Sequence, residues 1–380
     1  MNLYITADVV GLESGGGKVT AHESQALNEL GPCEVWGREQ LQDQHGVFEP
    51  EPWNFDVKAS YDLDVRKGYK ICHVYAGTFS STIRKLKMMG CKVTYTAAAH
   101  DVQKSRQAHE ELGVPYNYPH LTDPALWERY LGGYKAADVL ICPSQHSAAV
   151  MRGFGCTNRI EVIPHGVDMP KCKECGGAAV SDIAALCQCN CKGSGVEPIA
   201  SLPELFVVGY LGAMGCDKGV IDLLRAWAQL NYQDAVLALG GGHSQSPFVQ
   251  RLIEFTGARN VVCTGWVKDV ADFYNACSLY VQPSMTEGFG IEVLEAMAHG
   301  RAVISSDGAG AADVLEFGMI YPAGDVDALA REIDLCYQNW KLGGTAFPQI
   351  GPSNRVLAER YTWNKVREKY KKLWLELLSN

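Results

Sequence analysis

The chain lacks three features that would place it in common classes of protein. No stretch approaches the roughly 18 to 20 consecutive apolar residues that a membrane-spanning helix needs. The 34 Lys and Arg are outnumbered by 43 Asp and Glu, and this formal net charge of −9 argues against a dedicated nucleic-acid binder, which needs clustered cations. The start, Met1–Asp8, has no basic leader and is typical of a buried first strand. We therefore expect a cytoplasmic protein.

Size and composition indicate an α/β protein with two Rossmann-like domains and a cleft between them. At 380 residues, with 47% hydrophobic and 20% charged residues, the chain is too long for one ordinary core. Short apolar runs alternate with longer amphipathic stretches, the pattern of a parallel sheet flanked by helices. The runs that we predict as strands are Leu3–Ile5, Ile71–Tyr75, Lys92–Thr96, Val139–Cys142, Ile160–Ile163, Phe206–Leu211, Ala235–Leu239, Val261–Cys263, Leu279–Val281 and Ala302–Ile304.

The segment 283–300 is the most informative part of the chain. Glu287 and Glu295 stand with seven residues between them, and a Gly-Phe-Gly turn and a helix-like apolar run follow Glu287. Gly288 and Gly290 let the backbone approach a ligand closely, and the N–H groups at the start of the helix suit a phosphate. A carboxylate on the loop can accept hydrogen bonds from sugar hydroxyls, and one a turn into the helix can reach a ribose diol. The segment therefore predicts a nucleotide-sugar site.

The same helix also fits a plainer interpretation. At about 100° per residue, Glu292, Glu295 and His299 lie on one polar arc, while Leu294 and Met297 line the other side. Geometry alone leaves a solvated polar face as open as a ligand site.

The segment resembles the signature of the family 4 retaining glycosyltransferases, which have the two-domain GT-B fold. The resemblance implies that Glu287 positions the donor sugar and that Glu295 holds the ribose of a nucleoside diphosphate sugar. Further donor-binding residues implied by it are Gly288, Phe289, Gly290 and Ile291. Other matches follow in order along nearly the whole chain except about residues 171–203, namely Cys142–Ser144, Ile163–Asp168 and Gly300–Ile304.

A glycine-rich run follows the first predicted strand. Ser14–Gly17 precedes a helical run, so its amides can face the donor phosphates, although a flexible turn is an alternative. The family has a glycine loop at this place beside the nucleotide diphosphate, which implies that Gly16 and Gly17 bind the donor.

His100 follows a predicted strand, at the end where open α/β sheets bind their ligands. A satisfied turn residue is the alternative for a single histidine. The resemblance implies that the imidazole and backbone of His100 face the sugar being transferred.

Lys218 follows the first strand of the second half. A lysine there can place positive charge on the β-phosphate and stabilise it as it leaves. The family usually pairs this lysine with an arginine five residues earlier, where this chain has Ala213. Either Lys218 acts alone or another side chain takes the place of the arginine.

Five of the 14 cysteines are clustered, and nine are scattered in apolar surroundings as small core residues. The clustered residues are Cys172, Cys175, Cys187, Cys189 and Cys191. Four thiolates from this set suffice for a closed tetrahedral zinc site, which would be structural because catalysis needs an open position. Free or oxidised thiols and another metal or cluster are alternatives. The family does not generally carry this insertion.

One basic stretch, Ser80–Met89, carries cations between apolar residues 83 and 86. Contact with an anionic membrane surface and a solvated helix face both fit this pattern.

These features predict a first domain over residues 1–168, completed by a C-terminal helix at 361–380. A cysteine-rich insertion at the linker follows over 169–204, and the second domain covers 205–360. The resemblance implies donor binding mainly in the second domain and acceptor binding mainly in the first. It also implies retention of configuration and no catalytic divalent metal.

Two other functions fit the same residues. One is a GT-B-fold epimerase or phosphorylase that acts on a related donor. The other is a nucleotide-binding scaffold that has lost turnover, which the change at Ala213 favours.

Overall fold

The computed structural model describes residues 1–6, 15–37, 52–76, 79–99, 101–116, 123–170, 205–343 and 346–379. These residues form two compact units. The first unit comprises Met1–His100, Asn117–Gly166 and Trp363–Asn380, and the second comprises Asp101–Tyr116 and Val167–Thr362. Each unit contains one six-stranded parallel sheet, which confirms the α/β class and the two Rossmann-like halves.

The strands are named in chain order. The first unit contains β1 (Asn2–Thr6), β2 (Cys33–Trp36), β3 (Ile71–Tyr75), β4 (Lys92–Thr96), β5 (Val139–Cys142) and β6 (Arg159–Val162). The second contains β7 (Phe206–Leu211), β8 (Ala235–Gly240), β9 (Val261–Gly265), β10 (Leu279–Gln282), β11 (Ala302–Ser306) and β12 (Met319–Tyr321). The sheet orders are β2-β1-β3-β4-β5-β6 and β12-β11-β10-β7-β8-β9.

Helices connect and cover these strands. They are α1 (Gly15–Glu29), α2 (Pro52–Asp62), α3 (Ser80–Met88), α4 (Val102–Glu111), α5 (Pro124–Ala136), α6 (Gln145–Gly153), α7 (Val220–Leu230), α8 (Pro247–Thr256), α9 (Val270–Ala276), α10 (Ile291–Ala298), α11 (Val326–Lys341), α12 (Ala346–Ala358) and α13 (Trp363–Ser379). Single 3-10 turns lie at Val65–Lys67, Cys216–Lys218, Gly310–Val314 and Glu359–Tyr361.

The ten predicted strands are all present, with ends that differ by one or two residues. Their runs are apolar because helices bury both faces of a parallel sheet. The sequence did not indicate β2 or β12, each of which lies at one edge of its sheet, whereas it did indicate β6 and β9 at the opposite edges. Every residue of β2 is half-buried and β12 has three residues, so neither shows a continuous apolar run.

A buried carboxylate ties α1 to the sheet and to α13 within the first unit. Glu23 Oε2 accepts a hydrogen bond from the Tyr4 hydroxyl at 2.9 Å and lies 3.0 Å from His73 Nε2. Glu23 Oε1 accepts hydrogen bonds from Thr96 at 2.8 Å and from Tyr370 at 2.6 Å. Burial by itself raises the pKa of Glu23, but His73 and these hydrogen bonds outweigh it and hold the pKa below its usual value.

The same cluster continues along α13. Trp374 Nε1 donates a hydrogen bond to Thr94 Oγ1 at 3.0 Å, and that oxygen lies 2.7 Å from His73 Nδ1. The helix near the end of the sequence is therefore held to the first unit by polar contacts as well as by its apolar side.

The basic stretch 80–89 forms helix α3 and the residue that follows it. Ile83 and Leu86 are fully buried in the core of the first unit, so their apolar side chains face the sheet. Arg84, Lys87 and Met88 are exposed, and Lys87 pairs with Asp138 at 2.8 Å. This arrangement is that of a solvated helix face, and contact with a membrane through the exposed residues stays a prediction.

The scattered cysteines are free thiols. Eight of the nine are buried and Cys33 is half-buried, as expected of small core residues. Burial raises the pKa of Cys277 to about 12, which keeps this thiol protonated and unreactive. The five clustered cysteines lie outside the described residues.

Candidate functional site

The loops after β7 and β10 meet at the topological switch point of the second sheet. β7 lies between β10 and β8, and the chain passes from β7 to β8 on one side, while β10 lies on the other. Open α/β sheets bind ligands outside the carboxyl ends of strands at such a point. The loop after β7 carries Lys218, and the loop after β10 carries Glu287. The sheet topology therefore brings two of the predicted site residues to one place.

A glycine allows the two loops to touch. Gly219 has φ +68°, and a Cβ at this position would overlap the carbonyl oxygen of Pro283. Beside this contact, the Met285 N–H donates a hydrogen bond to the Asp217 carbonyl at 2.8 Å. The close backbone approach sets Lys218 next to Glu287.

Lys218 Nζ donates a hydrogen bond to Glu287 Oε2 within an ion pair. The side chains are 24% and 23% exposed, so both charges are largely withdrawn from solvent. Burial by itself lowers the pKa of Lys218, but the negative charges of Glu287 and Asp217 outweigh it and raise the pKa above its usual value. Lys218 is therefore a cation throughout the physiological pH range.

The backbone of Glu287 is held on both sides. Its N–H donates to the Gly308 carbonyl at 2.9 Å, and its carbonyl accepts from the Gly310 N–H at 3.0 Å. A Cβ at Gly308 would overlap the carbonyl oxygen of Met285, so this contact also depends on a glycine. The carboxylate therefore projects from a fixed segment of the loop.

Helix α10 begins without a capping side chain. Its N-cap is Gly290, which has φ +90° and no side chain to accept the first N–H groups. Phe289, which precedes it, is buried, and its carbonyl accepts a hydrogen bond from the Ala311 N–H at 2.7 Å. The first N–H groups of a helix lack acceptors within the helix, so this end suits an anion.

A tyrosine orients Glu295. The Tyr274 hydroxyl donates a hydrogen bond to Glu295 Oε2 at 2.9 Å, and the Tyr274 ring stacks on His299 at 5.3 Å between ring centres. Burial and the charge of Glu295 raise the pKa of Tyr274 well above its usual value, so this hydroxyl stays protonated and donates. Sequence reasoning did not find Tyr274, because it lies on α9 and approaches Glu295 through the fold alone.

The polar arc of α10 is half-buried, so it is not the solvated face of the plainer interpretation. Within it, burial and the charges of Glu287 and Glu295 raise the pKa of Glu292 to about 7. Sequence reasoning placed Glu292 on this arc but gave it no role in the site.

The carboxyl ends of β7, β8 and β9 come together through glycines. A Cβ at Gly241 would overlap the carbonyl oxygen of Gly212, and the Gly241 N–H donates to the Gly265 carbonyl at 2.9 Å. Ala213 and Trp266 are exposed beside this junction. Backbone atoms rather than long side chains therefore line this part of the sheet edge.

The remaining predicted residues fall in different places. Gly16 and Gly17 lie in the first turn of α1 in the first unit, rather than in a loop before the helix. His100 lies outside the described residues. Its neighbour Asp101 groups with the second unit, where its N–H donates to Thr286 Oγ1 at 2.6 Å, next to Glu287.

Two family models match the chain. The model described as Glycosyltransferase Family 4 matches residues 37–170, and the model described as Glycosyl transferases group 1 matches residues 205–339. The chain belongs to the group 1, family 4 glycosyltransferases. The second match includes the loops after β7 and β10 and the whole of α10.

Curated relatives in this family share part of the chain. The capsular polysaccharide biosynthesis glycosyltransferase CapM of Staphylococcus aureus is 30% identical over 185 residues, which cover 47% of this chain and 46% of that protein. The lipopolysaccharide core biosynthesis mannosyltransferase LpcC of Rhizobium leguminosarum is 31% identical over 188 residues, which cover 45% and 48%. The chain thus matches about half the length of these family members.

Solved structures share the fold over the whole chain. The sucrose-phosphate synthase of Thermosynechococcus elongatus has a TM-score of 0.74 at 17% identity and covers 100% of both chains. Anabaena HepE in complex with UDP-glucose has a TM-score of 0.66 at 18% identity and covers 99% of this chain and 100% of its own. At these identities the likeness shows the GT-B fold of the family alone.

The described residues contain neither a metal-binding group nor a membrane-spanning helix. No group of three or more His, Cys, Asp or Glu residues in this part of the chain is arranged to hold a metal ion. In the same ranges, no helix has the length and apolar character that crossing a membrane requires.

Proposed function

We propose that this protein is a retaining glycosyltransferase that moves a sugar from a nucleoside diphosphate sugar to an acceptor hydroxyl. The observation that carries the proposal is the Lys218–Glu287 ion pair at the switch point of the second sheet, beside the uncapped start of α10. Family membership and the UDP-glucose in the related HepE structure support a nucleotide-sugar donor.

The ion pair suggests how the donor enters. Lys218 exchanges Glu287 for the β-phosphate, and the diphosphate also meets the first N–H groups of α10. This exchange releases the carboxylate of Glu287 to accept hydrogen bonds from the sugar and to stabilise positive charge in its ring. Glu295, oriented by Tyr274, accepts hydrogen bonds from the ribose hydroxyls.

In the transfer step, the acceptor oxygen bonds to the anomeric carbon on the face from which the phosphate departs. The bond between that carbon and the phosphate oxygen breaks, and the acceptor proton passes to the departing phosphate. No protein nucleophile is needed, and Lys218 stabilises the charge that develops on the diphosphate. The proposal assigns His100 to the sugar as well, and Gly16 and Gly17 to the diphosphate.

The proposal also covers the acceptor and the cysteine-rich insertion. The names of the relatives concern capsular polysaccharide, lipopolysaccharide core and, in a Campylobacter jejuni protein, a sugar on diphospho-undecaprenol. These names favour a glycan or a lipid-linked sugar as acceptor, bound mainly by the first domain. The five clustered cysteines are assigned to a structural zinc, and no catalytic metal is invoked.

Ala213 favours one alternative, a nucleotide-binding scaffold without turnover. A thermal-shift titration with UDP, GDP, ADP and their sugar conjugates tests the donor site. A ligand at 100 times its Kd stabilises the fold by about 2.7 kcal/mol, so one base should stand out. Product analysis with and without an acceptor then separates transfer from epimerase or phosphorylase chemistry. A selective shift without any product would favour the scaffold, and no shift with any of these ligands would contradict the donor site itself.

A further inference from the structure

Three glutamates form a cluster at the candidate donor site, and its lysine, Lys218, is paired with one of them and also lies near Asp217. Glu292 stands in the first turn of α10, Glu295 stands one turn later, and Glu287 stands on the loop before the helix. Both neighbours repel a negative charge on Glu292, and Lys218 attracts it. Lys218 is already paired with Glu287, so Glu292 receives little of its charge.

Within the residues that the structure describes, the groups that act on Glu292 include one cation, Lys218. β7 and β10 contribute the hydroxyls of Tyr210 and Tyr280, and both tyrosines feel the charge of Glu292. α9 contributes Tyr274, which bonds Glu295. The 3-10 turn Cys216–Lys218 contributes the carboxylate of Asp217, whose charge acts on Lys218 and Tyr210.

Cations do lie at the other end of α10. Arg355 of α12 donates a hydrogen bond to the Ala298 carbonyl there. Burial and the charges of Arg301 and Arg355 lower the pKa of His299 to about 4, so this imidazole is neutral near pH 7. Among the causes that set the pKa of Glu292, the cation is Lys218 rather than Arg301 or Arg355.

A donor adds further negative charge. The diphosphate of a nucleoside diphosphate sugar carries about two negative charges, and like charges in one site favour protonation of a carboxyl group. Where the family usually has an arginine, this chain has Ala213. Burial and the charges of Glu287 and Glu295 raise the pKa of Glu292 to about 7, against the opposing effect of its backbone hydrogen bond and of Lys218. An incoming diphosphate favours its protonated form further.

We propose that Glu292 takes up a proton when the donor binds and forms part of the donor complex as a neutral carboxylic acid. This inference rests on the proposed donor site. The proton removes one of the three negative charges, which lessens the repulsion that a second cation would otherwise offset. Donor affinity is then highest below about pH 7 and falls as the pH rises, because a proton must be taken up from increasingly alkaline solution. The limiting slope is about tenfold in Kd per pH unit.

Isothermal titration calorimetry on the full chain tests this inference. The probes are the sugar conjugates of UDP, GDP and ADP, whose diphosphate diesters do not titrate near neutral pH. Binding is measured between about pH 6 and pH 9, in buffers of different ionisation enthalpy that report the number of protons taken up. We expect net proton uptake on donor binding near pH 8 and a Kd that weakens between pH 7 and pH 8, by up to about tenfold.

The variants separate Glu292 from other groups. Glu292→Gln carries a permanently neutral side chain of the same shape, so its Kd should stay near the low-pH value with no proton uptake. Glu254→Gln removes an exposed carboxylate on α8, and His243→Gln removes an exposed histidine from the loop after β8. Both should keep the pH dependence of the unmodified protein.

Each outcome is decisive. Donor binding by the unmodified protein with no proton uptake and a constant Kd overturns the inference and leaves the proposed function intact. Proton uptake that persists in Glu292→Gln, or that disappears in His243→Gln, also overturns it. Absence of donor binding at every pH contradicts the proposed function itself. If Glu292→Gln does not fold, Glu292→Ala takes its place, and proton uptake that persists in that variant overturns the inference.

Discussion

Gly219 lies so close to Pro283 that a Cβ at Gly219 would overlap the carbonyl oxygen of Pro283. This contact joins the loops after β7 and β10, and it keeps Lys218 within reach of Glu287. The ion pair thus depends on a backbone contact that a single methyl group would prevent.

Gly219→Ala should therefore impair both stability and donor binding. The left-handed backbone costs alanine about 1 kcal/mol, and separation of the loops adds to this, for a loss of about 2 kcal/mol or more in the free energy of unfolding. Gly257 is the matched control, because it has nearly the same φ and a Cβ there would meet nothing within 4 Å. Denaturant titration and donor affinity measure the difference. Equal losses for the two variants would contradict the importance of the contact.

Glu287 and Lys218 should differ in what their removal changes. Glu287→Ala should reduce transfer about 100-fold or more, since it removes stabilisation of the transition state. It should leave nucleotide binding intact or tighter, because Lys218 loses its competing partner. Lys218→Ala should weaken nucleotide binding itself. Steady-state kinetics and direct binding separate these effects, and Glu254→Ala serves as a surface control. Unchanged turnover in Glu287→Ala would refute its assignment.

The fold could be predicted from the sequence where burial is complete. Strands such as β7 and β8 are buried along their whole length, so their apolar runs stand out. Strand β2 is half-buried throughout and β12 has three residues, so neither has an apolar run that distinguishes it from a loop. The sequence also gave no sign that α4 groups with the second unit, because that depends on contacts formed after folding.

Some residues of the candidate site could be predicted from the sequence, and others could not. Glu287 and Glu295 could be predicted because they belong to a motif with fixed spacing, and Lys218 because it follows the first strand of the second half. The partner of Glu295 could not, because Tyr274 lies on another helix 21 positions away and meets it through packing. The raised pKa of Glu292 could not be predicted either, because it depends on burial and on neighbouring charges in the folded protein.

Tyr274→Phe should weaken recognition of the ribose. The variant removes the hydrogen bond that orients Glu295, at a cost of about 1 kcal/mol, or about fivefold in Kd. The unmodified protein should prefer a ribose nucleotide over its deoxyribose analogue, and Tyr274→Phe should reduce that preference. Tyr337→Phe is the control, because Tyr337 bonds Asp234 and belongs to α11. An unchanged preference in Tyr274→Phe would separate Glu295 from the ribose.

The clustered cysteines should hold about one zinc ion per chain. Metal analysis of the purified protein should show this ion, and replacement of Cys172 and Cys175 by serine should remove it, because four thiolates complete a structural zinc site. Cys33→Ser is the control, since Cys33 is half-buried on β2 and belongs to no cluster. A metal-free protein that is fully folded would contradict the assignment.

The buried carboxylate of Glu23 should make α13 essential to the first unit. Glu23→Gln should reduce the free energy of unfolding by about 3 kcal/mol at neutral pH, because His73 loses a buried charged partner. Tyr370→Phe should cost about 1 kcal/mol through the lost hydrogen bond. Glu29→Gln is the control, since Glu29 joins the same two helices at the surface through Lys371 and should cost less than about 1 kcal/mol.

The pH dependence of the Glu23→Gln effect follows from the direction of the shift. Burial opposes ionisation of Glu23, but His73 and the hydrogen bonds dominate, so the folded protein holds the pKa of this carboxyl below 4.5. A lowered pKa contributes stability that is complete above the unfolded value of about 4.5 and is lost as the pH falls through the folded value. The difference in unfolding free energy between the unmodified protein and Glu23→Gln should therefore be constant near neutral pH and shrink below about pH 4.5. A difference that stays constant into acid would show that Glu23 contributes by packing rather than by charge.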